Sequence, residues 1–515
     1  MAAYVIDSRL FGDQFSTEAT RRIFSDENTV QKWLDVEAAL ARVEARLGIV
    51  PQAAADEITR KARVELFDLD AMKREMDRTS HPIVPLVRAI KEICDGDAGE
   101  FVHWGATTQD IMDTGTILQL REALDEIEAA TRRLSSNLAD LAEAHKSTVM
   151  AGRTHGQQAL PITFGFKVAQ WLDELCRNLE RFQEMRRRVL VGQFGGAVGT
   201  LAALGAEGEQ VHRGLMNELG LACPPISWQS SRDRIAELVC VLAICTSTIG
   251  RMAHEIYSLQ KTEFAELEEP FSPGKVGSST MPHKRNPPTC ETIVALSKIL
   301  RSTAPLALEA MMTEHERDKI GLQTEREFIS RACCLADAAA KKMVAVVAGL
   351  TVKPQNMERN LWLQKGLLMS EPVMMALGAK FGRQKAHEMV YEICMKVFED
   401  DASFKEGLLD NPDIKRNLTP EKIDEMLDPH IYTGSAGFFV DRIVRHARQE
   451  GERNLRSSPA PVPDKREKFV RPAIRSPKAC CRSPGNRTLP LDHQGWIRRG
   501  IAWILCPNNF LGLPN

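Results

Sequence analysis

Two long stretches of this chain place an apolar residue at alternating steps of three and four, and that spacing constrains the fold more than any other feature. After Asp113, the residues Ile117, Leu120, Leu124, Ile127, Leu134, Leu138 and Leu141 follow it, with Thr131 filling one position. This is the seam of a heptad repeat. Ile235, Leu238, Leu242, Cys245, Ile249, Met252, Ile256 and Leu259 repeat the arithmetic within residues 226–269, a segment free of proline. A third long helix is expected over residues 164–189. Helices of this length, on the order of 40 Å or more at 1.5 Å per residue, cannot bury a seam inside a small globule. They need parallel neighbours. In the second, Val239, Val241 and Ile244 make further faces apolar, so it is expected to be surrounded on all sides, with other subunits supplying some of the helices. Core packing, rather than a cofactor site, accounts for these stripes.

The composition agrees with an all-α fold. Aromatic residues are only 6% of the chain, whereas strands would draw on them and on β-branched residues. Ser25 is a good N-cap for a further helix, with Asp26 and Glu27 at the positive end of its dipole. Val30, Trp33, Leu34, Leu40, Val43 and Leu47 form its apolar stripe, and Gly48 and Pro51 stop it. It reads as a peripheral amphipathic helix. At 515 residues the chain suits several helical domains. The expected division is an N-terminal domain over 1–112, a central long-helix bundle over 113–355, a C-terminal domain over 356–452 and a tail over 453–515.

The net charge of -2 hides a split. Residues 453–515 hold 12 Lys or Arg against 3 Asp or Glu, and nine of the 26 prolines, and read as a disordered, dispensable extension. The remaining body carries 55 basic against 66 acidic residues, which argues against nucleic acid as a partner. Twelve cysteines occur without CxxC pairs or Cys/His clusters at zinc spacing, so no metal is expected, and buried thiols in a reducing cytoplasm are. The N-terminus lacks a charged region followed by an apolar run, and no uncharged apolar run approaches the roughly 20 residues that span a bilayer. The expectation is a cytoplasmic protein without a membrane partner.

Chemistry is concentrated in SPGKVGSSTMPHKRNPPTCE, residues 272–291. Gly274 and Gly277 permit an unusual backbone, Ser278 and Ser279 offer hydroxyls, and Lys284, Arg285 and Asn286 offer cations and an amide. A serine is a poor base unless positive charge and oriented N–H donors stabilise its alkoxide. Lys284 and the N-terminus of the following helix are expected to supply these. The same groups suit the second negative charge that develops on a carboxylate when the neighbouring carbon loses a proton.

This run resembles the signature loop of the aspartase/fumarase superfamily, which includes adenylosuccinate and argininosuccinate lyases and the carboxymuconate cycloisomerases. HWGATTQDIMDTG at residues 103–115, GRTHGQQALPITFG at 152–165 and HERD at 315–318 extend the resemblance over about residues 10–452. It implies a homotetramer with a shared bundle of long helices and active sites assembled from three subunits. It also implies that Ser278 is the base with Ser279 its neighbour, that Lys284 and Asn286 bind one carboxylate, and that Thr107 and Thr108 bind a second. His155 falls at the general-acid position and Glu291 at the carboxylate that orients it. Thr154 and Arg326 are substrate-binding candidates, and His81, in SHPIVPL, is a weaker one. No cofactor is implied. GQFGGAVG at residues 192–199 reads as a turn between helices, because no strand precedes it and no GK[ST] follows.

Within the superfamily the residues point away from a nucleotide substrate. The N-terminus reads IDSRLFGDQFST, without the Arg-Tyr stretch usual in purine-pathway adenylosuccinate lyases, and Leu322 and Gln323 stand near the place of their Ser-Ser pair. A histidine at position 155 suits protonation of a departing amine. The expected activity is therefore a carbon–nitrogen lyase that cleaves a non-nucleotide N-substituted aspartate, such as an iminodisuccinate-like adduct, into fumarate and an amine. A carboxymuconate cycloisomerase, an adenylosuccinate lyase and a non-catalytic helical scaffold are the alternatives, the last disfavoured by the intact site.

Overall fold

The heptad stretch after Asp113 lies in a 37-residue helix, Thr108–Ala144, and its seam from Ile117 through Leu138 is buried. The computed structural model describes residues 4–271, 274 and 276–457, with side chains to residue 451. The other two expected long helices are Phe164–Val189 and Asp233–Leu259. Two more, Pro288–Glu309 and Ile320–Ala348, complete a bundle around a common core.

All eight seam residues of the Asp233–Leu259 helix are buried. It runs antiparallel to Pro288–Glu309, as Arg301 Nη1 donating to Ser247 Oγ at 3.3 Å and Gln260 Nε2 donating to the Arg285 carbonyl at 3.2 Å require. A Cβ added at Gly250 would fall 2.5 Å from Ser297 Cβ, so glycine is what lets the two helices approach there. The Asp233–Leu259 helix is apolar and long enough to cross a membrane by composition, but 67% of its most apolar window is buried in the fold. Of its large apolar residues Ile244 is exposed, at 46%, and marks a face that the described residues leave uncovered.

Three features differ from the sequence expectations. The helix capped by Ser25 spans Asp26–Arg46, and Ser25 Oγ accepts from Asn28 N at 3.2 Å. It is central rather than peripheral, because the small residues Ala38, Ala39 and Ala41 give it a second buried face against neighbouring helices. A two-stranded antiparallel hairpin, Val149–Thr154 with Gln157–Thr163, interrupts the helices. Finally, the separate C-terminal core, which includes Val373, Leu377, Val390, Phe404, Ile414 and Ile423, is smaller than the expected 356–452 domain. The helix Ala436–Ser457 returns to the main bundle and buries Val440 and Val444 there. Most of the tail, 458–515, lies outside the described residues, and at 452–457 only the helical backbone is described.

The central helix Asp26–Arg46 also buries two acids, Glu37 and Glu44. Among the described residues neither carboxyl oxygen of Glu44 has a hydrogen-bond partner, and burial, with the charge of Glu37 adding to it, pushes its pKa up to about 9. Between the ordinary carboxylate range and that value the unfolded chain gives up a proton that the native state keeps. Stability therefore falls as pH rises through this window. Glu44→Met is expected to raise stability by roughly 2 kcal/mol at pH 7.5 and by little at pH 5. Denaturant unfolding at the two pH values checks this, and an equal gain at both would remove the titration argument.

Candidate active site

Ser278 is half-buried, and its Oγ accepts hydrogen bonds from Met281 N at 3.0 Å and Thr280 N at 3.3 Å. Donors aimed at a hydroxyl oxygen favour its deprotonated form. The geometry depends on Gly277, where an added Cβ would fall 2.2 Å from the Lys284 carbonyl oxygen. Only glycine lets the loop fold back on itself and bring the backbone of residues 284 and 285 against position 277, the residue before Ser278. Lys284 and Ser279 are exposed and Asn286 half-buried.

The expected source of the donors needs correction. The first N–H groups of the Pro288–Glu309 helix, from Thr289 and Cys290, donate to the buried Glu269 carboxylate at 3.3 and 3.0 Å. The helix N-terminus is thus capped by Glu269, and the loop's own backbone serves Ser278. Arg285 anchors the loop, donating to Glu268 Oε1 at 2.8 Å with its guanidinium 4.6 Å from the Phe271 ring centroid.

His155 is neither buried nor a helix cap. It occupies the exposed tip of the hairpin, where it and Gly156 have φ of 51° and 78°, the pattern of a tight two-residue turn. His-Gly flanked by extended residues was the available signal for that turn. Thr154 and Gln157 close it. Two residues before His155, Arg153 donates to both oxygens of the buried Glu266 at 3.0 and 2.6 Å, just ahead of the signature loop. Glu291 is exposed on the first turn of the Pro288–Glu309 helix. Among the described residues, the side chains of His155 and Glu291 have no hydrogen bond or ion pair, so one chain does not join them.

Thr107, Thr108, His81 and Arg326 gather elsewhere. Thr107 N-caps the Thr108–Ala144 helix, and its Oγ1 accepts from Arg317 Nη1 at 2.7 Å. Lys319 Nζ donates to the Ser80 carbonyl at 3.1 Å, beside the exposed His81. Arg326, on the first turns of Ile320–Ala348, lies with Nη2 4.0 Å from Met112 Sδ. Arg317 and Lys319 were not singled out from the sequence. HERD was visible as a motif, but no spacing reveals that its arginine meets a threonine 210 residues away.

Asp110 explains the glycine-rich segment. Its carboxylate accepts from Gly195 N at 2.9 Å, Gly196 N at 2.8 Å, Gln193 Nε2 at 3.1 Å, Gln229 Nε2 at 3.0 Å and Thr107 N at 3.1 Å. Residues 192–199 are indeed a turn between helices, and the anion its N–H groups hold is a side chain of the protein. Burial pushes the Asp110 carboxyl up while these donors pull it down. Below Asp110 a buried cluster joins Asp113, Arg232 and Glu325.

The two groups of candidate residues lie at opposite ends of one helix. The signature loop leads into Pro288–Glu309 at its first residue and HERD follows its last, so 22 residues separate them, about 33 Å at 1.5 Å per residue. Among the described residues no group of three or more His, Cys, Asp or Glu side chains is arranged to hold a metal.

Comparison with known proteins adds the following. A family described as lyase matches residues 13–299, and one described as adenylosuccinate lyase C-terminus matches residues 366–443. N-acetyl-S-(2-succino)cysteine lyase of Dickeya dadantii is 43% identical, covering 87% of this chain and 98% of that protein. Adenylosuccinate lyase of Methanocaldococcus jannaschii is 41% identical, covering 86% and 96%. The crystal structure of 3-carboxy-cis,cis-muconate lactonizing enzyme from Pseudomonas putida superposes with a TM-score of 0.81 at 36% identity, covering 86% of this chain and 99% of that one.

Proposed function

Because this chain belongs to the lyase family of the aspartase/fumarase superfamily, we propose that it releases fumarate by β-elimination from a small succinate adduct of an amino acid rather than from a nucleotide. The observation that carries this reading is the Ser278 hydroxyl, which receives two backbone N–H donors in a loop folded back onto Lys284. Ser278, as the alkoxide left once its own proton has passed to solvent, takes the proton from the carbon next to one carboxylate and becomes the neutral hydroxyl again. Lys284 and Asn286 stabilise the charge that gathers on that carboxylate, and Thr107 and Thr108 hold the other. The bond from the adjacent carbon to its heteroatom breaks, and His155, oriented by Glu291, protonates the leaving group. Ser279, Thr154, His81 and Arg326 line the substrate.

A succinate unit is only a few ångströms long, whereas the two groups of residues are about 33 Å apart along one helix. The site is therefore completed between copies of the chain, in the homotetramer that the resemblance implies. The apolar faces left open at Ile244, and at Leu306 and Leu308, are available for such packing.

The leaving heteroatom is nitrogen, as in an N-substituted aspartate, or sulfur, as in the substrate named for the Dickeya relative. His155→Gln tells them apart. An amine must be protonated as it leaves, so for an N-linked adduct kcat is expected to fall by roughly 10²–10⁴. A thiol leaves readily as its anion, so an S-linked adduct loses about tenfold or less. Equal losses on both would remove His155 from the leaving-group role. The decisive assay follows fumarate by absorbance with N-acetyl-S-(2-succino)cysteine, N-substituted aspartates, adenylosuccinate and carboxymuconate. The likeness to the Pseudomonas putida enzyme favours a second reading, a cycloisomerase. Turnover of carboxymuconate without fumarate would establish it.

A further inference from the structure

The strongest unassigned feature is the cluster of Asp113, Arg232 and Glu325, whose side chains are 5%, 3% and 4% exposed. Arg232 stands at the N-cap of the Asp233–Leu259 helix. Its Nη1 and Nη2 donate to the two oxygens of Asp113 at 2.8 and 3.0 Å, and its Nε donates to Glu325 Oε1 at 2.8 Å, with Nη2 on Glu325 Oε2. One guanidinium thus clamps two carboxylates from two different helices, each through both oxygens. Gln109 Nε2 adds a bond to Asp113 Oδ2 at 3.0 Å, and the Trp228 ring centroid lies 5.1 Å from the guanidinium carbon.

Buried ion clusters are weak sources of stability, because desolvation offsets the attraction. Position in the fold suggests what this one does. Asp113 lies on the helix that begins with Thr108, and Glu325 is the residue before Arg326. Met112, beside Asp113, is the neighbour of the Arg326 guanidinium. The HERD segment hangs from the same place, since Thr313 Oγ1 donates to the Ser230 carbonyl at 2.6 Å.

We infer that Arg232 is a positioning residue, which locks the Thr108–Ala144 and Ile320–Ala348 helices in register so that Thr107, Thr108 and Arg326 present a carboxylate-binding pocket of set width. The inference rests on the dicarboxylate reading above. It concerns substrate binding rather than the proton-transfer step, because Ser278 lies at the other end of the helices.

The test separates reach from charge. Glu325→Asp keeps the charge and shortens the arm by one methylene, whereas Glu325→Gln keeps the arm and removes the charge. Affinity for succinate, measured by calorimetry, and KM and kcat for fumarate release are read on the full-length wild type and both variants. Glu325→Asp is expected to weaken succinate binding and raise KM by roughly ten- to a hundred-fold with kcat within about threefold. Glu325→Gln is expected to change both by less. Arg232→Lys, which cannot fork onto both carboxylates, should behave like Glu325→Asp. If the variants lose thermal stability while succinate affinity and KM stay at wild-type values, the cluster is structural only and the inference is wrong. If the wild type itself neither binds succinate nor releases fumarate, the dicarboxylate reading fails, and the inference falls with it.

Discussion

Ser278→Ala is expected to lower kcat for fumarate release by about 10³-fold or more while leaving KM within a few-fold. The reason is geometric. The hydroxyl oxygen receives N–H groups from Thr280 and Met281, and these hold the charge of its alkoxide, the form that removes the substrate proton and returns to the neutral hydroxyl in doing so. Alanine keeps the turn's backbone and leaves the carboxylate-binding groups in place, so ground-state binding persists. Steady-state assays of both proteins provide the measurement. A Ser278→Ala enzyme with more than about a tenth of wild-type kcat would show that another group is the base. Ser279→Ala serves as the control, because Ser279 lines the substrate without taking the proton and its loss should cost much less.

Mixing two inactive variants is expected to restore activity. Ser278→Ala damages one end of the long helices, and the double variant Thr107→Val with Thr108→Val damages the other. If each site takes its base from one copy and its threonines from another, subunits exchanged at random in a 1:1 mixture leave about a quarter of the sites undamaged. Activity should therefore rise to roughly a quarter of wild type after co-refolding, from a background set by the weaker variant. Recovery that never exceeds the sum of the separately refolded variants would mean that both ends serve the same site within one chain. That outcome contradicts the separation of about 33 Å estimated from the 22-residue Pro288–Glu309 helix. The experiment requires only that the threonine variant fold. Threonine and valine are nearly the same size, and the bond from Thr107 N to the Asp110 carboxylate at 3.1 Å is made by the backbone, which the substitution keeps.

These expectations draw unequally on sequence and structure. The long helices were legible in the sequence, because the period of apolar residues is a local property set by 3.6 residues per turn. The sequence placed the seams of Thr108–Ala144 and Asp233–Leu259 and the bounds of Phe164–Val189. It also marked the loop around Ser278, whose glycines and serines are chemistry-bearing residue types at close spacing. Which groups meet depends instead on how the helices pack. The donors on Ser278 come from the loop's own backbone, Asp110 fills the glycine turn, and Arg317 reaches Thr107. Arg232 joins Asp113 to Glu325. The small alanines of Asp26–Arg46, silent in a pattern of large apolar residues, are what turn a seemingly peripheral helix into a central one. Such contacts link positions up to 210 residues apart, and they depend on how helices cross and which faces they bury. No period along the chain encodes that, since it follows from packing among elements rather than from the conformation of any one of them.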